Sequence, residues 1–190
     1  MPMIDRRRTL GRGAALGAAA ALWNTRVFAA VFIDIEQARR LLLPEAASFR
    51  LLPRGLDGAA QAAVAQASGS RIPPGYNPAA WAGLDAQGRR VGFVLADQVV
   101  GKYELIDYAV GFAPDGTVRQ VEVLAYRESH GAEIRNLAWR SQFAGRKGPA
   151  QLRFGDDIRN ISGATLSCQH VTEGVQRLAV IVQTRLQNAP

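Results

Sequence analysis

Residues 161–167 read Ile-Ser-Gly-Ala-Thr-Leu-Ser. Two small residues, Gly163 and Ala164, stand directly before Thr165, with further hydroxyls at Ser162 and Ser167. If Thr165 opens a helix, the first N–H groups there lack intrahelical acceptors and favour an anion such as a phosphate. Gly163 and Ala164 let the backbone come close to that ligand. The same stretch also suits a plain helix start, because Ser and Thr are frequent N-caps, and spacing alone favours capping.

A second polar group is Glu128-Ser129-His130-Gly131. Glu128 and His130 could serve as acid and base, but no nucleophile in sequence context supports a hydrolase. The alternative is a polar connection between a strand and a helix. Cys168 is the only cysteine, so an intrachain disulfide and a Cys-rich metal site are both excluded. Cys168 and His170 lie two apart, about 200° around a helix, which does not make a joint metal site. Trp81 and Trp139 read as packing residues rather than stacking platforms.

These groups need elements to hold them. Residues 34–43 read as a helix capped by Asp34 and ended by Pro44. Residues 58–67 are an Ala- and Gln-rich helix, and 71–78 an irregular, Pro-rich crossing. From Trp81 the pattern turns to strands. One covers 91–96, and the next covers 103–112, where Ile106, Tyr108, Val110 and Phe112 alternate with Leu105, Asp107 and Ala109. Ala113-Pro114-Asp115-Gly116 is a turn, and 117–126 returns as a third strand. So 81–126 is an antiparallel meander. A helix over 134–143 and an exposed loop at 145–149 follow. Val171, Val175, Leu178, Ala179, Val182 and Leu186 fall at helical spacing in a long amphipathic C-terminal helix over 166–186. The expected class is α+β: an antiparallel meander packed against helices.

The 190 residues are 48% apolar and 21% charged, which excludes wholesale disorder and leaves one domain plus an appendage. The appendage is residues 1–29. A basic head with Arg6, Arg7, Arg8 and Arg12 precedes a short apolar run, 14–23, and a small-residue site, Val27-Phe28-Ala29. That is the layout of a cleaved export signal, with the cut after Ala29. Either Arg6-Arg7 or Arg7-Arg8 could form a twin-arginine pair; the alternative is an ordinary basic head on the general export route. The expected division is 1–29 signal peptide, 30–80 helical N-terminal segment and 81–190 main domain, with the mature protein in the periplasm. The formal charge of +7 falls to +3 without the leader's five arginines and one aspartate. Scattered arginines at that balance are a solvated surface, so no nucleic-acid partner is expected.

Taken in order, Glu128…Gly131, Gln142-Phe143-Ala144-Gly145 and Ser162-Gly163-Ala164-Thr165-Leu166-Ser167 resemble the FMN-binding domain family. That family includes the periplasmic flavin subunits of Rnf-type complexes and of sodium-pumping NADH:quinone reductases. The resemblance covers roughly 90–185, with Gly101-Lys102-Tyr103-Glu104 opening a strand and Gly116 in a strand-joining turn. It implies FMN carried on Thr165 through a phosphoester, made by a separate flavin transferase with FAD as donor. Ser162, Gly163, Ala164, Leu166, Ser167, Glu128 and Gly131 would complete the cofactor site, with no catalytic residue and no metal. Lys102, Arg127 and Arg135 are candidate cations near the ring. His130 replaces a usual Pro, Ser129 a usual Thr, and Cys168 a small hydroxyl residue. These departures point to a smaller, soluble, stand-alone relative of the anchored subunits. The implied role is electron transfer with a membrane-bound oxidoreductase or other redox partner, rather than stand-alone catalysis. The other reading is a cofactor-free exported binding or accessory module that keeps the fold.

Overall fold

The structure, a computed structural model, describes residues 30–53 and 55–187. The export segment read over 1–29 lies outside them. The elements in chain order are β1 Ala30–Val31, α1 Ile35–Leu42, β2 Ser48–Leu51, α2 Gly58–Ser68, β3 Ala79–Leu84, β4 Arg90–Val100, β5 Leu105–Phe112, β6 Val118–Tyr126, α3 Leu137–Arg140 and α4 Thr165–Ile181. The six strands form one sheet in the order β1-β6-β5-β4-β3-β2, with every pair antiparallel. The fold is α+β, as the sequence pattern implies.

Local chemistry sets most boundaries. Asp34 caps α1 by accepting the Gln37 N–H at 2.8 Å, and Asp57 caps α2 by accepting the Ala60 N–H at 2.8 Å. The turn after β5 closes with Ala113 N–H donating to the Thr117 carbonyl at 2.8 Å. The alternation in β5 sends Ile106, Tyr108, Val110 and Phe112 to one face, into a core with Val171, Val175, Leu178 and Val182 of the long helix. Each fully buried side chain of this size contributes about 1.5–3 kcal/mol relative to exposure. The opposite face of the sheet, with Val94 and Ala109, is covered by Ala38, Leu42 and Leu43 at the end of α1. α1 seats closely there: a β-carbon on Gly83 would lie 2.8 Å from a Leu43 methyl, and one on Gly111 2.9 Å from Leu42 Cβ.

Several expectations change. Residues 30–80 are not only helical, because they supply the edge strands β1 and β2. The strand expected from Tyr103 starts at Leu105, and Gly101–Glu104 forms the turn between β4 and β5, closed by Gly101 N–H donating to the Glu104 carbonyl at 2.8 Å. The helix expected over 134–143 is broken into a 3-10 turn at Ala132–Arg135, α3, and a 3-10 turn at Ser141–Phe143. The break is at Asn136, whose φ of −59° and ψ of 131° are extended. The terminal helix changes to π-helical winding over Val182–Leu186.

The irregular 71–78 crossing is held by a buried polar group. Tyr76 and Tyr108 both donate to Asp97 Oδ2, at 2.9 and 2.8 Å, and Arg177 of α4 approaches the same oxygen at 3.9 Å. Burial pushes Asp97 above the ordinary carboxylate range despite these donors, and burial raises both phenols.

Candidate functional site

The mouth of α4 is built on Gly163, whose φ of +85° lies in the left-handed region. A β-carbon there would meet nothing within 4 Å, so backbone conformation rather than crowding selects glycine. The chain then turns through Ala164, which is the N-cap and offers no side-chain hydrogen bond. The capping role open to Thr165 or Ser162 is therefore filled by neither. The first backbone bond into the helix is Cys168 N–H to the Ala164 carbonyl at 2.9 Å. The N–H groups of residues 165–167 come before it, unsatisfied by a cap, at the positive end of a 17-residue helix.

The three hydroxyls at this mouth have different surroundings. Ser167 is 4% exposed, and its Oγ lies 3.2 Å from the Tyr126 hydroxyl. Ser162 is exposed. Thr165 is exposed, and its Oγ1 accepts a hydrogen bond from Asn160 Nδ2 at 2.9 Å. Leu166 beside it is 42% exposed.

The facing wall comes from the β4–β5 turn and the segment after β6. Glu128 Oε1 accepts the Tyr103 N–H at 2.6 Å and the Glu104 N–H at 3.0 Å. Burial raises the carboxyl's pKa, but the N–H donors of Glu104, Tyr103 and Lys102 and the Lys102 charge outweigh it, leaving Glu128 below the ordinary carboxylate range. Glu128 thus pins a turn rather than standing ready as an acid or base. Tyr126 donates its hydroxyl proton to the His130 carbonyl, which folds the segment back toward α4. The close approach expected at Gly131 is made there. A β-carbon on it would lie 2.7 Å from Tyr126 Oη and 2.8 Å from Ala164 Cβ, and its φ is +85°.

Between these walls lies a recess of about 240 Å³. Lys102, Tyr103 and residues 128–130 line one side, and residues 163–167 the other. The structure therefore brings together Glu128, Gly163, Ala164, Thr165, Leu166 and Ser167. Gly131 supports the wall from behind, and Ser162 stands outside the lining. Of the three candidate cations only Lys102 reaches the recess, its Nζ 4.8 Å from the Tyr103 ring centroid. Arg127 is paired with Asp107 at 2.6 Å, and Arg135 lies over the Phe32 ring. Cys168 is fully buried, and burial raises its thiol pKa. His170 turns away to the Val100 carbonyl, 2.6 Å from Nδ1. Among the described residues no three His, Cys, Asp or Glu side chains gather as a metal site. A larger groove of about 1030 Å³ runs past Tyr76, Asp97 and Arg177, but none of the expected cofactor residues lines it.

Two residues at the site carried no sequence signal. Tyr126 looks like any aromatic at a strand end, yet it braces both walls. Asn160 precedes Thr165 by five residues, a spacing that no helix or motif rule marks.

Residues 101–180 match the family model of the FMN-binding domain. That match takes in both walls of the recess. No curated protein matches the chain. Among solved structures, the crystal structure of Shewanella oneidensis NqrC is similar at 16% sequence identity, covering 72% of this chain and 80% of that one, with a TM-score of 0.48.

Proposed function

We propose, on the premise that residues 101–180 match the FMN-binding domain, that this chain is an exported flavoprotein whose Thr165 carries FMN through a phosphoester. The observation that carries the reading is Thr165 itself: an exposed hydroxyl on the rim of the recess, at an uncapped helix start. The residues present fit the group. N–H groups at the helix mouth suit its phosphate, and Lys102 adds a positive charge on the facing wall. Leu166 and Tyr103, 42% and 74% exposed, offer apolar surface beside it.

Bound there, FMN would supply one- and two-electron transfer, so the chain would link redox partners of unlike electron count. The protein's own part is to hold and to orient. Thr165 fixes the attachment point, Glu128 holds the Lys102–Glu104 turn against the site, and Gly131 lets the two walls meet. The recess is smaller than the ~300–1,000 Å³ of pockets that enclose a drug-sized ligand, which suits a ring left open to a partner. A covalent tether also prevents loss of the cofactor outside the cytoplasm. A flavin transferase using FAD would make the ester, and a membrane-bound oxidoreductase is the expected partner. Among the described residues no helix is long and apolar enough to cross a membrane.

The test is co-expression with a flavin transferase followed by intact-mass measurement. The wild type gains one FMN less one water, and Thr165→Ala gains nothing. A wild type that never gains this mass removes the covalent reading. Export through residues 1–29 is tested separately by replacing Arg6, Arg7 and Arg8 with Lys, which keeps the charge. Undiminished export of that variant would assign the leader to the general route instead of the twin-arginine one.

A further inference from the structure

We infer that Asn160 is a positioning residue for the esterification of Thr165, an inference that rests on the covalent reading above. The Thr165 side chain makes no capping bond, and the bond it does make is accepted from Asn160 Nδ2 at 2.9 Å. An amide donor on Oγ1 uses one lone pair. It leaves the other lone pair and the O–H proton free, which is what a nucleophilic hydroxyl needs. It also selects one side-chain rotamer for a residue whose hydroxyl would otherwise sample several.

Asn160 can act this way because the residue before it, Arg159, is fixed through both its backbone N–H and its carbonyl. The Arg159 N–H donates to Gln142 Oε1 at 2.8 Å, and the Arg159 carbonyl accepts from Trp139 Nε1 at 2.8 Å. Trp139 is 4% exposed and packs edge-on against Phe143 at 5.1 Å, so these anchors belong to the core. Ile158, fully buried, fixes the approach from the other side. The Phe143 element that gave part of the family resemblance thus supports, through Gln142 and Trp139, the loop that delivers Asn160 to Thr165.

The step balances as follows. Thr165 Oγ1 forms a bond to the FMN phosphorus of FAD, and the pyrophosphate P–O bond to the adenylate breaks. AMP leaves with the electron pair of that bond, and the hydroxyl proton passes to a base supplied by the transferase. No oxidation or reduction occurs. Asn160 bonds to the attacking oxygen only, and holds it in place for near-attack geometry.

The experiment follows mass gain over time with the full chain, purified flavin transferase, Mg²⁺ and FAD, at varied concentrations of the chain. Asn160→Ala removes the amide. Asn160→Asp keeps its shape but puts an acceptor oxygen in place of the donating amide nitrogen. Both variants should lower kcat by about tenfold or more, with KM for the chain within about twofold of wild type, as expected for lost orientation rather than lost binding. Unchanged kcat in either variant overturns the donor role. A raised KM with unchanged kcat also overturns it, by making Asn160 a docking contact for the transferase. Circular dichroism melts of both variants show whether the comparison is between folded proteins, and the isosteric Asn160→Asp keeps the test open if Asn160→Ala unfolds. Failure of the covalent reading looks different: wild type itself stays at the apo mass, and the positioning role falls with it.

Discussion

Gly131 and Ala164 touch across the site: a β-carbon on Gly131 would lie 2.8 Å from Ala164 Cβ and 3.2 Å from Ala164 Cα. This contact joins the segment after β6 to the mouth of α4, so the recess has its shape only while position 131 lacks a side chain. Gly131→Val meets both the Ala164 contact and a φ of +85°. It is expected to cost about 2–4 kcal/mol from overpacking together with backbone strain. Urea unfolding measures this. A loss below about 0.5 kcal/mol, the scale of ordinary surface changes, would show that the two walls can separate freely.

Thr165→Ala should leave stability nearly unchanged. The hydroxyl satisfies no N–H of its own helix, and Ala164 is the N-cap. Alanine is also the better helix former, so the change in unfolding free energy is expected within about 0.5 kcal/mol. A loss near 1 kcal/mol, the usual cost of a missing cap, would mean that Thr165 caps after all.

The turn held by Glu128 should be acid-sensitive. Its carboxyl lies below its ordinary value in the folded state, because the donors on Glu104, Tyr103 and Lys102 outweigh the upward push of burial. Proton binding is then weaker in the folded chain than in the unfolded one. The stabilisation is complete above the unfolded pKa of about 4.3 and is lost as pH falls through the lower folded value. The amide shifts of Tyr103 and Glu104 should titrate together with a midpoint below about 4.3, and Glu128→Gln should abolish the transition. A midpoint at or above that value contradicts the assignment.

Arg177→Met should be strongly destabilising. The Arg177 side chain is 6% exposed and that of Asp97 7%, so removing the guanidinium leaves a buried carboxylate held by neutral donors alone, the Tyr76 and Tyr108 hydroxyls and the Gln98 N–H. The expected loss is about 3 kcal/mol by denaturant unfolding. The double variant with Asp97→Asn should recover much of it, because the uncompensated charge is then gone. Additive losses in the double variant would show that the two residues do not interact.

The parts that could be read from the chain are those written in local chemistry. Asp34 announces the start of α1, the alternation from Ile106 to Phe112 announces a strand, and Gly163 before Thr165 marks a close turn into a helix. What stayed hidden depends on partners far along the chain. Lys102–Glu104 continues a strand-like pattern, and it is a turn because Glu128 collects its N–H groups from 24 residues away or more. β1 and β2 are two and four residues long, too short to show a period, and exist because β6 and β3 offer edges to pair with. At the site, the Thr165 loop was legible, but its fixed partner Asn160 depends on anchors at Trp139 and Gln142, which sequence spacing cannot relate to it.

The long helix gives the molecule a front and a back. Thr165 stands at its start, while Gln187, just past Leu186, accepts at its carbonyl from Arg90 and reaches with its side-chain amide to the Pro114 carbonyl, beside the turn at the far end of the sheet. At 1.5 Å per residue the two ends are about 30 Å apart. Ala30, by contrast, pairs with Tyr126, whose hydroxyl braces the recess. A label, bead or electrode linked at residue 187 leaves the recess facing outward, whereas the same link at residue 30 presses it toward the support. Orientation on a surface therefore becomes a matter of which of these two positions is tethered.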